Sequence, residues 1–164
     1  MGSSLKIGIV CYPTYGGSGV VATELAHGLA ARGHQVHLVS YAAPARMEPF
    51  DERVSFHVVE VSSYPLFRYP PYDLALASRL ADVAEEASLD LVHVHYARPH
   101  AHAALLVQDI LTPRPFPVVT TLHGTDITIV GQDRAYARVT RHALGASDAV
   151  TCVSRYLEQE TRRI

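Results

Sequence analysis

The stretch Leu5-Lys6-Ile7-Gly8-Ile9-Val10-Cys11, followed by Tyr15-Gly16-Gly17-Ser18-Gly19, decides the fold. The first segment is a mostly apolar run of strand length, as expected of a strand buried on both faces. Beyond the second, Val20, Val21, Leu25, Leu29 and Ala30 recur at helical spacing, and Arg32-Gly33-His34 closes the helix with a glycine. A strand that turns through three glycines into a helix removes Cβ atoms where a ligand would approach the main chain. It also aims the first helical N–H groups outward, which favours an anion. The same glycines also suit a tight turn that binds nothing.

Working outward, strand-like segments recur at 35–40, 54–61, 91–96, 118–123 and 149–153. Helical patterns lie between them at 73–87, with Leu74, Ala77, Leu80, Ala81 and Ala84 on one face, at 99–111 opened by Pro99, and at 134–144. Another helix begins at Tyr156. The stretch 42–53, with Pro44 and Pro49, reads as a loop, and 62–72, with Pro65, Pro70 and Pro71, as irregular chain. Pro113 and Pro115 bound the 99–111 helix. Regular alternation of strand and helix predicts an α/β fold, a doubly wound parallel sheet in one domain over residues 1–164. Ligands of such sheets bind beyond the carboxyl ends of the strands. Residues 16–19, Tyr96 and the run Thr121-Leu122-His123-Gly124-Thr125-Asp126 are therefore expected to line one crevice.

Composition narrows the field. The chain has 164 residues, 48% hydrophobic and 18% charged, as in an ordinary globular domain. A net charge of −2 argues against nucleic acid or an anionic membrane as the main partner. No apolar run approaches the roughly 20 residues that cross a bilayer, and Met1-Gly2-Ser3-Ser4 leads directly into a core strand without a signal-peptide pattern. Cys11 and Cys152, both placed in strands, are too few for a disulfide framework, so a reducing cytoplasm is the expected location.

Gly17-Ser18-Gly19-Val20-Val21-Ala22 satisfies a dinucleotide fingerprint in form, yet the second strand ends in Ser40-Tyr41-Ala42-Ala43, with no carboxylate for a ribose. No cofactor is expected. His93 and His95 point the same way, with His100 and His102 nearby, but no Cys pair or carboxylate is spaced to complete a metal site. Ser18 lacks a nucleophile-elbow context and suits the helix N-cap, a role compatible with ligand contact. Asp126 fits either a ligand site or a turn carboxylate. Arg68, among aromatic residues in the proline-rich loop, is either a solvated charge or an anion receptor.

Taken together, these stretches resemble the N-terminal, Rossmann-like half of the GT-B retaining glycosyltransferases. The matching segments include Lys6-Ile7-Gly8-Ile9, Gly16-Gly17-Ser18-Gly19, His95-Tyr96 with Pro99-His100-Ala101, and Thr120-Thr121-Leu122-His123-Gly124-Thr125-Asp126, with Ser147-Asp148 and Val153-Ser154. Cys11-Tyr12-Pro13 and Tyr69-Pro70-Pro71-Tyr72-Asp73-Leu74 narrow the resemblance to the branch that moves N-acetylglucosamine from UDP-N-acetylglucosamine to L-malate in bacillithiol biosynthesis.

The resemblance implies a cleft between two such domains, with the acceptor held mostly by this half. The nucleotide-sugar domain, which this chain does not contain, would hold the donor, so the chain alone is expected to be inactive. Position by position, Gly17, Ser18 and Gly19 would approach the donor diphosphate, with Ser18 also reaching the acceptor. Tyr96 and Thr121 match residues on the acceptor's acidic group, Arg68 matches a basic residue that pairs with it, and Asp126 belongs to the same motif. His123 matches the histidine beside the transferred sugar and is the catalytic candidate. Retention by same-face attack lets the leaving phosphate take the acceptor proton, leaving orientation and electrostatics to the protein. A related transferase with another acceptor, such as an inositol phosphate or lipid-linked sugar, and a non-enzymatic α/β binding domain stay open. So does the oligomeric state, a homo-oligomer included.

Overall fold

The computed structural model describes residues 3–47, 51–113 and 116–164. Met1, Gly2, Pro49 and Pro115, used in the sequence reading, lie outside them. Six strands, β1 (Lys6–Val10), β2 (Gln35–Ser40), β3 (Val54–Val58), β4 (Leu91–His95), β5 (Val118–Leu122) and β6 (Ala149–Cys152), form one sheet. Their order is β3-β2-β1-β4-β5-β6 and every pairing is parallel. The order reverses between β1 and β4, which opens a crevice at the carboxyl ends of those strands. This is the Rossmann-like doubly wound sheet expected from the alternation. The third strand is shorter than the expected 54–61, and Cys11 lies just past the end of β1.

Helix α1 (Ser18–Ala30) covers one face of β1–β3. It does so with small residues, Ala22, Ala26 and Ala30, rather than with Val21, Leu25 and Leu29, which sit at its flanks or outside. Small side chains let a helix approach the sheet closely, so the apolar periodicity pointed slightly off the packed face. Helix α2 (Tyr72–Ala87) lies on the opposite face with Leu76, Leu80 and Val83 buried. Leu74, expected on that face, is 56% exposed in the first turn. Burying each leucine contributes about 1.5–3 kcal/mol, and Val10, Val39, Val92 and Val94 complete this core from the sheet.

The segment expected as one helix from Pro99 is two pieces. A π-helical turn (Ala97–Ala101), interrupted at extended Arg98, leads into α3 (His102–Ile110). A four-residue helix α4 (Thr125–Thr128), absent from the sequence reading, follows β5, and α5 (Ala137–Ala146) and α6 (Arg155–Thr161) flank β6. Ser154 caps α6 by accepting from the Leu157 N–H at 3.1 Å, and Asp148 accepts from the Val118 N–H at 2.7 Å, tying the α5–β6 turn to β5. Both free cysteines are unpaired, Cys11 buried with its thiol pushed up to about 12 by that burial.

Candidate functional site

The glycine turn is built differently from the expectation. Gly17, at φ 57°, is the helix N-cap residue and makes no side-chain cap of its own. Ser18 is therefore the first helical residue rather than the cap. The capping role passes to Thr14, whose hydroxyl donates to the Gly16 carbonyl at 2.7 Å and accepts from the Gly19 N–H at 3.2 Å. Gly19 is also needed for the chain itself: a Cβ there would lie 2.5 Å from the Thr14 carbonyl oxygen and 2.7 Å from that of Tyr12. At Gly16 and Gly17 a Cβ would meet nothing within 4 Å. Only those two positions leave open space over the turn, and Gly17 needs its positive φ.

Tyr12, immediately after β1, joins this turn to the ends of β4 and β5. Its ring packs edge-on against Tyr96 at 5.4 Å and tilted against His100 at 4.4 Å. Tyr96 itself has φ 90° and ψ 133°, a conformation that costs a non-glycine residue about 1–3 kcal/mol. It is held there by its N–H donating to the Thr121 carbonyl at 2.9 Å, by a Tyr96 hydroxyl to Thr125 Oγ1 contact at 2.9 Å, and by stacking on His123 at 5.5 Å and 12°. An enforced strain of this kind at a crevice marks a positioned side chain.

Below Tyr96 lies a row of polar groups on one face of the sheet. Thr121 Oγ1 is 2.6 Å from both His93 Nε2 and Thr151 Oγ1. His95 Nδ1 is 2.9 Å from His123 Nε2, and the His100 Nδ1–H donates to the His95 carbonyl. Burial holds all four imidazoles neutral: His93 and His100 are pushed down to about 4, His95 to about 2, with neighbouring histidines adding to the fall at His93 and His95. His123 also falls through burial, partly offset by Asp126. Each of these histidines is thus a hydrogen-bonding group rather than a cation at neutral pH.

Asp126 is buried, and both its oxygens face main chain. Oδ1 accepts from the N–H groups of Gly124 at 2.9 Å and His123 at 3.3 Å, and Oδ2 from that of Ala97 at 3.4 Å. It fastens the β5 turn to the turn after β4, and so sets where His123 stands. Gly124, at φ 131°, is the residue that lets the chain reverse there.

Tyr96, Thr121, His123 and Asp126 therefore form one connected group, with residues 17–19 beside it through Tyr12. Arg68 does not join it. It is exposed on the loop before α2, its guanidinium 5.5 Å from the Tyr69 ring. The sequence reading missed Thr14 and Arg98, and it quoted Tyr12 and His95 without giving either a place in the site. Arg98 carried a usable signal, a lone arginine two residues past Tyr96 at the carboxyl end of a central strand. Its guanidinium lies 3.7 Å from the centre of the Tyr136 ring.

The description of Glycosyltransferase Family 4 matches residues 15–164. The chain belongs to glycosyltransferase family 4. Among relatives, N-acetyl-alpha-D-glucosaminyl L-malate synthase of Bacillus anthracis is 49% identical over 160 residues, which are 98% of this chain and 42% of that protein. The putative teichuronic acid biosynthesis glycosyltransferase TuaC of Bacillus subtilis is 30% identical over 76 residues, 46% of this chain and 19% of TuaC. The family 4 chain thus spans less than half the length of the curated relatives it matches. A solved glycosyltransferase from Rickettsia africae superimposes with a TM-score of 0.67 at 20% identity, covering 95% of this chain and 38% of that one. Sucrose-phosphate synthase from Thermosynechococcus elongatus gives 0.65 at 16% identity, covering 96% and 81% respectively. These likenesses establish a fold shared with GT-B glycosyltransferases. Among the described residues, no helix of this family 4 chain is long and apolar enough to cross a membrane.

Proposed function

We propose that this chain is the acceptor-binding half of a retaining glycosyltransferase that moves N-acetylglucosamine from UDP-N-acetylglucosamine to L-malate. The observation that carries the reading is the 49% identity, over 98% of the chain, to a protein named for that product. The geometry is compatible with it. The crevice between the glycine turn and Tyr96 is rich in hydroxyls and N–H groups, and its imidazoles are neutral hydrogen-bonding groups. A dicarboxylate needs such donors, and hydrogen bonds to a charged group contribute about 1.5–3 kcal/mol each.

In this reading Gly17, Ser18 and Gly19 face the donor diphosphate, Ser18 and Tyr96 reach the acceptor, and Thr121 supports it from below. His123 stands beside the transferred sugar as an orienting donor, fixed by Asp126 behind it. Arg98, which lines the opening that Tyr12 also borders, and Arg68, which matches a basic residue by resemblance alone, are the candidate cations for a carboxylate. The chemistry asked of the protein is orientation and stabilisation of charge, with the departing phosphate taking the acceptor proton. The second domain would supply the rest of the donor site, so this chain folds and binds acceptor without turning over.

Incubation with UDP-N-acetylglucosamine and L-malate tests the reading, with the full-length parent and with residues 1–164 alone. Release of UDP with formation of N-acetylglucosaminyl malate is expected from the parent only. A parent that leaves malate unglycosylated, or a fragment that matches its rate, removes the proposal.

A further inference from the structure

A second opening, of about 520 Å³, adjoins the crevice and is lined by Tyr12, Tyr69, Tyr72, Asp73, Arg98 and Tyr136 together with three prolines. Its walls come from Tyr12, the 69–73 stretch, the turn after β4 and Tyr136. Arg98 enters it from the extended kink inside the π-helical turn, its guanidinium over the Tyr136 ring. No carboxylate of the described residues pairs with it. Asp73 shares the same wall yet forms no ion pair with Arg98. Arg98 Nη1 is sealed from solvent without an acceptor, and so is the Tyr72 hydroxyl.

A half-buried guanidinium without an acceptor is costly. Stacking on Tyr136 offsets part of that cost, but no counter-charge is in place. The neighbouring groups cannot provide one, since burial raises the phenols of Tyr12 and Tyr72 and keeps both protonated. Nor can the adjoining crevice share the cationic role, because His93, His95, His100 and His123 are all held neutral. Any acidic group bound here thus finds its only nearby positive charge, among the described lining residues, at Arg98, within a wall of phenolic donors. Tyr12 belongs to both spaces, so a small ligand anchored at Arg98 extends naturally toward Tyr96.

We infer that the Arg98 pocket is the receptor for a carboxylate of the acceptor, and that Arg98 rather than Arg68 sets the preference for an acidic acceptor. The inference rests on the acceptor-binding reading above but has its own test. Calorimetric titration of residues 1–164 with L-malate, and with its uncharged diamide, reads the site directly. Wild-type chain binds malate in preference to the diamide. Arg98→Gln weakens malate binding at least tenfold, and Arg98→Lys recovers part of it because charge survives without the planar fork. Arg162→Gln, exposed at the C-terminal end of α6, controls for general charge. Near-UV circular dichroism confirms that each variant keeps its packing, and Arg98→Lys carries the comparison if the Gln variant does not fold.

The inference is overturned if wild-type chain fails to bind malate, if Arg98→Gln binds it as tightly as wild type, or if the loss follows Arg68→Gln instead. Arg98-dependent malate binding in a protein whose full-length parent does not glycosylate malate would leave this inference standing and remove only the transfer reading.

Discussion

His95 Nδ1 and His123 Nε2 lie 2.9 Å apart, joining an imidazole at zero exposure to the one that borders the crevice. Both rings are neutral at pH 7, so exactly one of the two nitrogens bears the shared proton. His95 Nε2 is sealed without a partner. If it carried hydrogen it would be an orphaned buried N–H, the rarer and costlier arrangement. His95 therefore protonates Nδ1 and donates to His123, which in turn presents Nδ1–H.

That tautomer is checked by long-range ¹⁵N–¹H correlation at pH 7, where His95 Nδ1 should have the shift of a protonated nitrogen. His95→Asn keeps a donor near the Nδ1 position and should reduce turnover of the full-length parent only a few-fold. His95→Phe removes the donor. The loss of a hydrogen bond of roughly 0.5–1.5 kcal/mol should then cost up to about tenfold more. A protonated Nε2 on His95 reverses the polarity of the pair and refutes the assignment.

The buried histidines also tie stability to pH. In the folded chain His100 titrates at about 4 and His95 at about 2, against 6.5 when unfolded. Above pH 6.5 neither state binds these protons and their contribution is fully present. As pH falls below 6.5 the unfolded chain takes up protons that the folded chain refuses, so stability falls with acidification. Each such histidine contributes a slope of up to about 1.4 kcal/mol per pH unit. Melting temperature should therefore drop between pH 6.5 and 5, above the carboxylate range. His100→Asn, which keeps a donor toward the His95 carbonyl, should flatten the slope by about one proton. A melting temperature constant across that window contradicts the burial of these rings as neutral groups.

The glycines of the first turn separate by the same reasoning. Gly19→Ala puts a methyl 2.5 Å from one backbone oxygen and 2.7 Å from another, neither of which is a flexible end. Overpacking of this kind costs about 1–3 kcal/mol or more. Gly16→Ala meets nothing within 4 Å and should be nearly neutral for stability. Urea unfolding of the two variants decides it. Equal midpoints would mean that the turn is free to relax, and that Gly19 serves a ligand alone.

The parts of the molecule that were legible in the sequence are those written in local periodicity. Six apolar runs, most of them separated by helical patterns, specify a parallel sheet, because each connection must cross over and the central strands β1, β4 and β5 are buried almost throughout. The residues at strand ends followed from that, which is why Tyr96, Thr121, His123 and Asp126 could be grouped before any coordinate was known. Partnerships between distant residues were not legible. Thr14 replaces Ser18 as the group that secures the helix start, because the chain bends back on itself between Cys11 and Gly19. Asp126 engages Ala97 across 29 residues. Arg98 gains its setting from Tyr136 and Tyr72, which no spacing rule connects. Ala30 was read correctly on the α1 face, but Ala22 and Ala26 were not, because alanine scores weakly as apolar although its small size is what the contact needs.

The last prediction separates two hydroxyls that the sequence treats alike. Ser18 Oγ makes no hydrogen bond with the described residues, and Gly17 occupies the cap position. Ser18→Ala should therefore change stability by less than about 0.5 kcal/mol, below the roughly 1 kcal/mol expected of a lost cap. Thr121 Oγ1 bridges His93 and Thr151, so Thr121→Val strands a buried imidazole nitrogen and should cost about 1–3 kcal/mol. In the full-length parent both variants should raise the malate KM more than that of the nucleotide sugar. For Ser18 the whole effect is then loss of a ligand contact, while for Thr121 it is mixed with disturbance of His93. Thermal melts run beside malate titrations distinguish them. If Ser18→Ala is destabilised and keeps the wild-type malate KM, Ser18 belongs to the helix start and the acceptor's hydroxyl contact lies elsewhere in the crevice.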